Sequence, residues 1–562
     1  MARSVIDPVT RIEGHLRVEM EVENGVVSDA WVSGGCFRGM ELVVKDRTPE
    51  DAAHIVQRIC GVCPVSHSHA ATIAAEKAYG ITISNNARII RNLIEGAQFL
   101  HSHILWFYTL AALDYVNPLN ALKANVGSAY DLVQAAGTSC QSDLKALQER
   151  LTKFAENGQL SIFSGNWWKN GKSDSEFKLP AELDLIATAH YIEALTMQSK
   201  ASEICALLGG KMPHVMTIVP GGTSFVPTEE KLDDLWSLVH DLRDWIKATI
   251  LPDTKAIAPY YKEALNFGKG CGRYVAWGVF ERPSFELADR YLPSGVIDEN
   301  LNLSEVDLDA IKEYIGHSWY EGDSNLDPRE GVTEPKFTEY YKAGTLREEN
   351  GHEVGEINDR YSWSKSPSYN GECMEAGPFS RVLAAYLRGN EFIKPAVDGL
   401  CKDLGLTVPQ LQSTLGRVAG RNIEPIYIAE CMVKWVDELI EAVKGGDSEY
   451  FRAPETITGE GTGLWEAPRG ALLHTEKVNN GKITDYQIII PTTWNIAPRN
   501  AEGVQGPMEQ ALIGTPVADV DMPINALRTV HSFDPCTACA VHVTEPSTGK
   551  HFETVTSPWG VK

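Results

Sequence analysis

The chain has 562 residues, of which 43% are hydrophobic and 22% are charged, as in a globular protein with a large core. Its formal net charge of -24 disfavours nucleic acid or an anionic membrane surface as a partner, because both bind basic surfaces. Eleven cysteines, an odd number, argue against a disulfide framework and for folding in a reducing compartment. We find no signal-peptide pattern at the N-terminus and no apolar run of the ~18 residues that span a bilayer.

Several secondary-structure elements are predicted by pattern. Residues 15–35 alternate apolar and polar side chains around Asn24-Gly25, which predicts a β-hairpin, and Asn480-Gly481 marks a second one. A helical pattern extends from about residue 87 to 115. Further helices are expected near 181–209, 229–250, 379–403 and 425–444. Segments rich in Gly, Pro, Ser and Asp predict long surface excursions at roughly 290–375 and 450–465.

Two Cys-x-x-Cys pairs, one near each end of the chain, carry most of the functional information. They are Cys60 with Cys63 and Cys536 with Cys539, followed by His67 and His542, respectively. Four thiolates suit a structural zinc ion or an iron–sulfur centre. Zinc is disfavoured because zinc ribbons usually keep their pairs within tens of residues, whereas here nearly the whole chain separates them. If both pairs reach one site, the two ends of the chain belong to one core.

At these motifs the chain resembles the large subunit of a [NiFe]-hydrogenase. The resemblance covers essentially the whole chain and includes both cysteine motifs with their histidines. It also includes the segments Asp7–His15, Phe37–Glu41, His317–Tyr320, Tyr361–Trp363, Glu466–Gly470 and Pro491–Asn495. The fold it implies is α+β and predominantly helical, with a core bundle of long helices and small peripheral β-sheets and hairpins. The active site would be buried between the N- and C-terminal segments.

The resemblance implies that the four cysteines hold a Ni-Fe centre whose iron carries CO and cyanide ligands. Cys60 and Cys536 would be terminal nickel ligands, and Cys63 and Cys539 would bridge to iron. The family reaction is the reversible heterolytic cleavage of H2 into two protons and two electrons. Soft thiolates suit a metal that changes oxidation state, and a terminal thiolate can take up a proton.

Other residues match the family's motifs around the metals. Glu13 would relay protons from the terminal cysteine, and Arg469 would place a positive charge over the metals. Asp534 and Asp114 would orient Arg469, and His67 would lie beside a bridging sulfur. Residues lining the diatomic-ligand pocket would be Pro468 and Thr492. Without the motifs, Glu13 would more often be a capping carboxylate, Asp534 could be a turn residue, and His67 would more often be a core histidine.

A second metal site is implied by three further matches. Glu41, the backbone carbonyl of Ile488 and His542 would hold a structural Mg2+ ion, which prefers hard oxygen ligands. Glu41 taken alone could equally be a solvated surface carboxylate. The other cysteines and the aromatic pair Trp167-Trp168 are expected to be packing residues.

Processing, partners and location also follow from the resemblance. Residues 1–542 would form one catalytic domain, and a maturation endopeptidase would remove the extension 543–562. No other cysteine cluster is spaced for iron–sulfur centres, so electrons would leave through an iron–sulfur small subunit. The heterodimer, alone or as a dimer of heterodimers, could join a membrane cytochrome or quinone-linked subunit. Its location would be periplasmic or membrane-associated, reached through the exported partner.

Two other functions remain open from the sequence. A hydrogen-sensing regulatory homologue would bind H2 mainly to signal, but that branch generally lacks the C-terminal extension. A non-redox scaffold could hold zinc on the four cysteines. The presence of all four cysteines together with Glu13 and Arg469 argues against such a scaffold.

Overall fold

Helices make up the largest part of the chain. The computed structural model describes residues 2–35, 37–160, 176–331, 333–336 and 360–537. Trp167-Trp168, Cys539, His542 and the extension 543–562 lie outside these ranges. The helices are α1 (Met40–Val43), α2 (Pro49–Ile55), α3 (Pro64–Tyr79), α4 (Asn85–Ile104), α5 (Val126–Ala136), α6 (Leu144–Glu156), α7 (Ala181–Gly209), α8 (Glu229–Ile257), α9 (Pro378–Leu387), α10 (Ile393–Leu404), α11 (Thr414–Arg421), α12 (Glu424–Lys444), α13 (Pro491–Asn495), α14 (Pro507–Leu512) and α15 (Ile524–Ser532).

The strands form small, mostly antiparallel sheets. They are β1 (Ala2–Ile6), β2 (Leu16–Glu23), β3 (Val26–Gly34), β4 (Ile218–Val219), β5 (Gly222–Thr223), β6 (Tyr274–Ala276), β7 (Gly295–Ile297), β8 (Leu303–Ser304), β9 (Ile311–Tyr314), β10 (Ser366–Tyr369), β11 (Glu375–Ala376), β12 (Gly459–Ala467), β13 (Gly470–Asn479) and β14 (Lys482–Ile489). Two three-stranded sheets, β1-β2-β3 and β12-β13-β14, lie near the two ends of the chain. A four-stranded sheet has the order β11-β6-β7-β8, in which β11 and β6 are parallel.

Four long helices pack around one apolar core. α4 contacts α7 and α12, and α8 contacts the same two helices. Gly96 allows the approach of α12 to α4, since a Cβ atom there would lie 2.9 Å from the Met432 side chain. Among the described residues, no helix is long and apolar enough to cross a membrane.

A strip of glycines lets strand β12 lie directly on helix α3. Cβ atoms built on Gly461 and Gly463 would lie 2.0 Å from the carbonyl oxygens of Ala74 and Ala70, respectively. Any side chain at these positions would therefore push the strand away from the helix. Because β12 leads from the far end of α3 towards its N-terminus, the turn after β12 comes close to the first cysteine pair.

Most predicted elements are confirmed. Both Asn-Gly turns form hairpins, β2–β3 and β13–β14, with all four turn residues at positive φ. The helix predicted over 87–115 is α4, continued by a π-helical turn (Leu105–Ala111) and a 3-10 turn (Ala112–Asp114). The helices predicted over 181–209, 229–250 and 425–444 are α7, α8 and α12.

Two predictions needed correction. Residues 379–403 form two helices, α9 and α10, because the chain turns at Gly389, whose φ is +75°. The excursion predicted over 450–465 is wrong from residue 459 onward, where strand β12 begins. Its glycines indicate close packing on α3 and not a loop. In the other excursion, 290–375, the described part contains the short strands β7 to β10.

Candidate metal centre

The first cysteine pair lies where a 3-10 turn (Val56–Ile59) meets helix α3. Both cysteines are buried, and Cys63 is the residue that precedes the first turn of α3. The backbone N–H groups of Val62 and Cys63 both donate to Cys60 Sγ at 3.2 Å. Amide donors and a helix N-terminus favour the thiolate form, which is the form that binds metals.

Cys536 joins this pair from the other end of the chain. Its sulfur lies 3.3 Å from Cys60 Sγ, and the sulfur atoms of Cys60, Cys63 and Cys536 all lie within 4.8 Å of one another. The Cys536 N–H donates to Thr492 Oγ1 at 3.0 Å, so the start of α13 holds this cysteine in place. Three buried soft donors around one point fit a thiophilic transition metal.

Glu13 is held against Cys536 by backbone pairing between the two ends of the chain. Thr537 N–H donates to the Glu13 carbonyl at 2.6 Å, and Glu13 N–H donates to the Pro535 carbonyl at 3.4 Å. The Glu13 carboxylate then lies with Oε2 3.5 Å from Cys536 Sγ. This is a distance at which a thiol can donate its proton to a carboxylate.

Arg469 lies in the β12–β13 turn with its side chain fully buried. Its Nη2 is 3.0 Å from Asp534 Oδ1, and its Nη1 donates to Ser102 Oγ at 3.5 Å. Burial opposes its positive charge, but Asp534 and the thiolates of the three described cysteines outweigh burial and raise its pKa well above the usual value. Its Nε–H has no hydrogen-bond partner among the described residues. Arg469 is therefore a buried, permanent cation near the thiols, and its Nε–H is available to donate a hydrogen bond.

Asp114 does not take the position expected from the sequence. Its two carboxylate oxygens pair with Arg11 and with His531 Nδ1, the latter at 2.6 Å. In the described part of the chain, Arg469 instead contacts Ser102, which lies on α4 before the π-helical turn that leads to Asp114. The assignment of Asp114 as a partner of Arg469 therefore needs correction.

Arg421 and His103, which the sequence analysis did not identify, form a hydrogen-bonded chain that leads to Asp534. Arg421 Nη1 donates to Asp534 Oδ2 at 2.7 Å, and Arg421 Nε donates to His103 Nδ1 at 3.0 Å. Asp534 is thus held between Arg421 and Arg469. No motif indicates Arg421, because its contact with Asp534 spans 113 positions.

His67 has one ring nitrogen engaged and one without a hydrogen-bond partner. Its Nδ1 lies 3.2 Å from His474 Nε2, and His474 Nδ1 lies 2.7 Å from the Tyr486 hydroxyl. Burial lowers the pKa of His67 to about 4, so the ring is neutral at pH 7. The buried Nε2 has no hydrogen-bond partner among the described residues. It fits a group bound beside the cysteines better than an empty apolar core.

The two pocket-lining residues predicted from the motifs both lie next to site residues. Pro468 precedes Arg469, and its carbonyl accepts a hydrogen bond from Arg381 Nη2 at 2.8 Å. Thr492 contributes the hydroxyl that accepts the N–H of Cys536 and still has its own proton to donate. Both are buried.

Glu41 and Ile488 line a separate cavity of about 50 Å³. Glu313 and Lys365 line it as well, and Lys365 Nζ lies 3.3 Å from Glu313 Oε2. Burial raises the pKa of Glu41, and Lys365 only partly offsets this. The volume is enough for a small cation with a few waters, since one water needs roughly 10–15 Å³ by this measure. Such a cation would offset the cost of desolvating the Glu41 carboxylate.

A second cluster of potential metal ligands consists of Cys140, His190 and Glu193. The ring nitrogens of His190 are both engaged in hydrogen bonds, so neither can bind a metal ion. His190 Nδ1 lies 2.7 Å from Asp253 Oδ2, and its Nε2 lies 3.1 Å from the Ser139 carbonyl. Burial disfavours the charged ring, but Asp253 outweighs it and raises the pKa of His190 well above the usual value. Both ring nitrogens therefore carry protons, and the cluster is a hydrogen-bonded ion pair.

Comparison with known proteins identifies relatives over almost the full length. A family model described as nickel-dependent hydrogenase matches residues 38–542, and one described as HoxL-like matches residues 3–33. The chain is 39% identical to the hydrogenase-2 large chain of Escherichia coli K12, covering 97% of each chain. It is 38% identical to the uptake hydrogenase large subunit of Rhodobacter capsulatus, covering 96% of this chain and 95% of that one.

A solved structure shows the same fold. The reduced Ni-Fe-Se hydrogenase from Desulfovibrio vulgaris Hildenborough superposes with a TM-score of 0.77 at 34% identity. The match covers 96% of this chain and all of that one. With three cysteines, Glu13 and Arg469 placed around one point, these matches show that the chain belongs to the nickel-dependent hydrogenase large-subunit family.

Proposed function

We propose that this chain is the catalytic large subunit of an H2-uptake hydrogenase, which cleaves H2 heterolytically and reversibly into two protons and two electrons. The relatives named above are hydrogenase large chains and uptake hydrogenase large subunits. The observation that supports the proposal best is the meeting of three buried thiols within 4.8 Å, with a carboxylate 3.5 Å from one of them.

The cysteines would hold a Ni-Fe centre with CO and cyanide on the iron. Cys60 and Cys536 would be terminal nickel ligands, and Cys63 would bridge to iron together with Cys539. When bound, this group supplies the site at which H2 binds and the two electrons are taken up. The amide donors at Cys60 Sγ and the helix N-terminus at Cys63 support both sulfurs as thiolates.

Glu13 would carry the proton away from the site. A proton held at Cys536 Sγ is 3.5 Å from Glu13 Oε2, so a small movement brings donor and acceptor into contact. The backbone pairing of Glu13 with the 535–537 segment fixes this distance. General acid–base transfer of this kind contributes about 10²–10⁴-fold to a rate.

Arg469 would stabilise negative charge that develops over the thiols. Its charge is permanent, and Asp534 and Ser102 fix its orientation. Pro468 and Thr492 would line the pocket for the diatomic ligands. His67 Nε2 would point to a bridging sulfur, where a hydrogen bond withdraws charge from it.

The cavity at Glu41 would hold a structural Mg2+ ion with the Ile488 carbonyl and His542. Residues 1–542 would act as one unit built on the bundle of long helices, with the site between the two ends of the chain. An endopeptidase would remove residues 543–562 during maturation.

The electrons would leave through an iron–sulfur small subunit in a heterodimer, which could pair into a dimer of heterodimers. A membrane cytochrome or quinone-linked subunit would complete the uptake pathway. The assembly would be periplasmic or membrane-associated, carried there by its exported partner. The hydrogenase-2 and uptake-hydrogenase names of the relatives support this reading.

The test is elemental analysis and H2 oxidation by the chain purified with its partner from its native host. Nickel and iron in equal amounts in this chain, counted apart from the iron of the partner's iron–sulfur clusters, are expected, together with H2-dependent reduction of an artificial acceptor. Cys536→Ser should lose both nickel and activity, whereas Cys431→Ser, a buried thiol of α12, should keep them. Zinc alone in fully processed protein would contradict the proposal.

A further inference from the structure

Two cysteines outside the metal centre, Cys271 and Cys373, face each other where two loops enter neighbouring strands. β6 and β11 are parallel, with Tyr274 opposite Glu375, so the loops that precede them are also neighbours. The Cys271 thiol donates to the Arg273 carbonyl at 3.4 Å, and Arg273 Nη2 lies 3.8 Å from Cys373 Sγ, so Arg273 contacts both cysteines. Neither cysteine is in a disulfide, and cysteines at the entry to paired strands can lie within the ~4.4–6.8 Å Cα separation that a disulfide spans.

The surroundings of Cys373 favour its thiolate. Gln510 Nε2 donates to Cys373 Sγ at 3.3 Å, and Arg273 Nη2 lies 3.8 Å from the same sulfur. Arg273 is held in place by a hydrogen bond from Nε to the Cys373 carbonyl at 3.3 Å. The interaction with the Cys271 thiol, together with Arg273 and Gln510, outweighs burial and lowers the pKa of Cys373 below its usual value.

The two members of the pair differ in ways that suit an attacking and a resolving thiol. Cys373 is partly exposed, which favours its reaction with a small oxidant. Cys271 is buried and keeps its proton, since its pKa is raised by its hydrogen bond to Cys373 and by burial. Exposure and thiolate character both favour oxidation, and a neighbouring thiol can then trap the product.

We propose that Cys271 and Cys373 form a peroxide-reactive dithiol that closes reversibly to a disulfide. The Cys373 thiolate attacks one oxygen of hydrogen peroxide, the O–O bond breaks, and a sulfenic acid and hydroxide form. Cys271 then attacks the Cys373 sulfur, the S–O bond breaks, and the leaving hydroxide takes up the Cys271 proton. The two thiols lose two electrons and two protons, and peroxide is reduced to two waters. A dithiol reductant reverses the reaction.

Cys401 lacks this arrangement and provides a control. It is buried in α10, and burial raises its pKa. Asp398 raises the pKa further. Cys401 should therefore react slowly with peroxide and with alkylating reagents over the same pH range.

The experiment uses the complete enzyme with its partner subunit, prepared without oxygen. Hydrogen peroxide is added in small excess, remaining thiols are blocked with a maleimide, and the digested chain is analysed by mass spectrometry. We expect a peptide pair linked through Cys271 and Cys373 that disappears after dithiothreitol, while Cys401 carries maleimide throughout. Without peroxide, alkylation of Cys373 should reach half its maximum at a lower pH than the ~8.5 of an ordinary thiol.

Two variants separate the steps. Cys271→Ser should stop at the sulfenic acid, which dimedone traps at Cys373, and Cys373→Ser should leave Cys271 unoxidised. If the wild-type enzyme forms no linked peptide and Cys373 reacts no faster than Cys401, the proposal is wrong, whatever the variants do. Metal content and H2 oxidation of the same samples are measured separately, because this proposal does not depend on the proposed hydrogenase function.

Discussion

Two buried aspartates near the candidate centre have similar partners but serve different parts of the molecule. Asp534 lies between Arg469, at 3.0 Å, and Arg421, at 2.7 Å, and so faces the thiols through Arg469. Asp114 lies between Arg11 and His531 and makes no ion pair with Arg469 in the described part of the chain. A buried carboxylate held between two nitrogen-containing side chains therefore does not by itself identify a reaction site.

Asp114 connects three segments of chain. His531 on α15 contacts it through Nδ1, and its Nε2 lies 2.8 Å from the Thr10 carbonyl. Arg11 belongs to the same N-terminal turn that carries Glu13, and Arg528 donates to the Asp114 carbonyl at 2.8 Å. Asp114 thus stabilises the junction that supports the site, whereas Asp534 orients a group within it.

Changing Arg469 should give the largest effect. Arg469→Lys keeps the charge but loses the planar guanidinium that contacts Asp534 and Ser102 at once, so H2 oxidation should fall by about 10²–10³-fold. Nickel content should stay unchanged, because Arg469 is not a ligand. Arg11→Lys is the matched control on the Asp114 side and should keep most activity per nickel. Equal losses in both variants would remove the distinction between the two aspartates.

Changing Glu13 should lower turnover by about 10²-fold or more, because Gln cannot accept the proton from Cys536. Nickel and iron should be retained, since the backbone pairing with residues 535–537 does not use the side chain. Glu19→Gln, a change of a buried carboxylate on β2 that pairs with Arg17, is the control. Glu13→Gln with normal turnover would show that the proton leaves by another route.

Changing Asp114 should affect stability and leave chemistry unaltered. Burial would raise the pKa of Asp114, but Arg11 and His531 outweigh it and lower the pKa to about 2. Against an unfolded value near 4, this contributes on the order of 2 kcal/mol at neutral pH. That contribution is present above about pH 4 and is lost as the pH falls through about 2.

Asp114→Asn should therefore lower the Tm of the complex at pH 7, and its difference from the wild type should shrink as the pH approaches 2. Activity per nickel at 25 °C should remain close to that of the wild type. A variant with unchanged Tm and reduced activity per nickel would instead place Asp114 in the site.

Changing Ser102 should give the smallest effect. Ser102→Ala removes one 3.5 Å contact to Arg469, while Asp534 still holds the guanidinium, so activity should fall by less than about tenfold. Steady-state H2 oxidation at matched nickel content measures this. A loss as large as that of Arg469→Lys would make Ser102 an equal partner of Asp534.

The sequence predicted the parts that depend on local patterns. Asn-Gly turns require positive φ at both central residues, and long amphipathic repeats require helices, so these elements were recognisable without a structure. The cysteine pairs were recognisable because metal binding needs their spacing. Asp534 was predicted as a partner of Arg469, but Ser102 was not, because a motif does not tell which polar residue on a 20-residue helix will face another segment.

Glycines in 450–465 were misleading for a related reason. Composition predicts a loop wherever glycine is frequent, but Gly459, Gly461 and Gly463 occupy alternate positions of a strand, on the face that meets α3. Their function depends on a helix almost 400 positions earlier, which no local pattern can reveal.

The glycines of β12 also determine the spacing between Arg469 and the first cysteine pair. Because β12 and α3 are in backbone contact, the spacing between the turn that carries Arg469 and the helix that begins after Cys63 is set by main-chain atoms. Adding a single methyl group at Gly463 would widen that spacing without altering any residue of the site. A substitution in this strip would therefore change the distance between the guanidinium and the thiols without replacing any residue of the site.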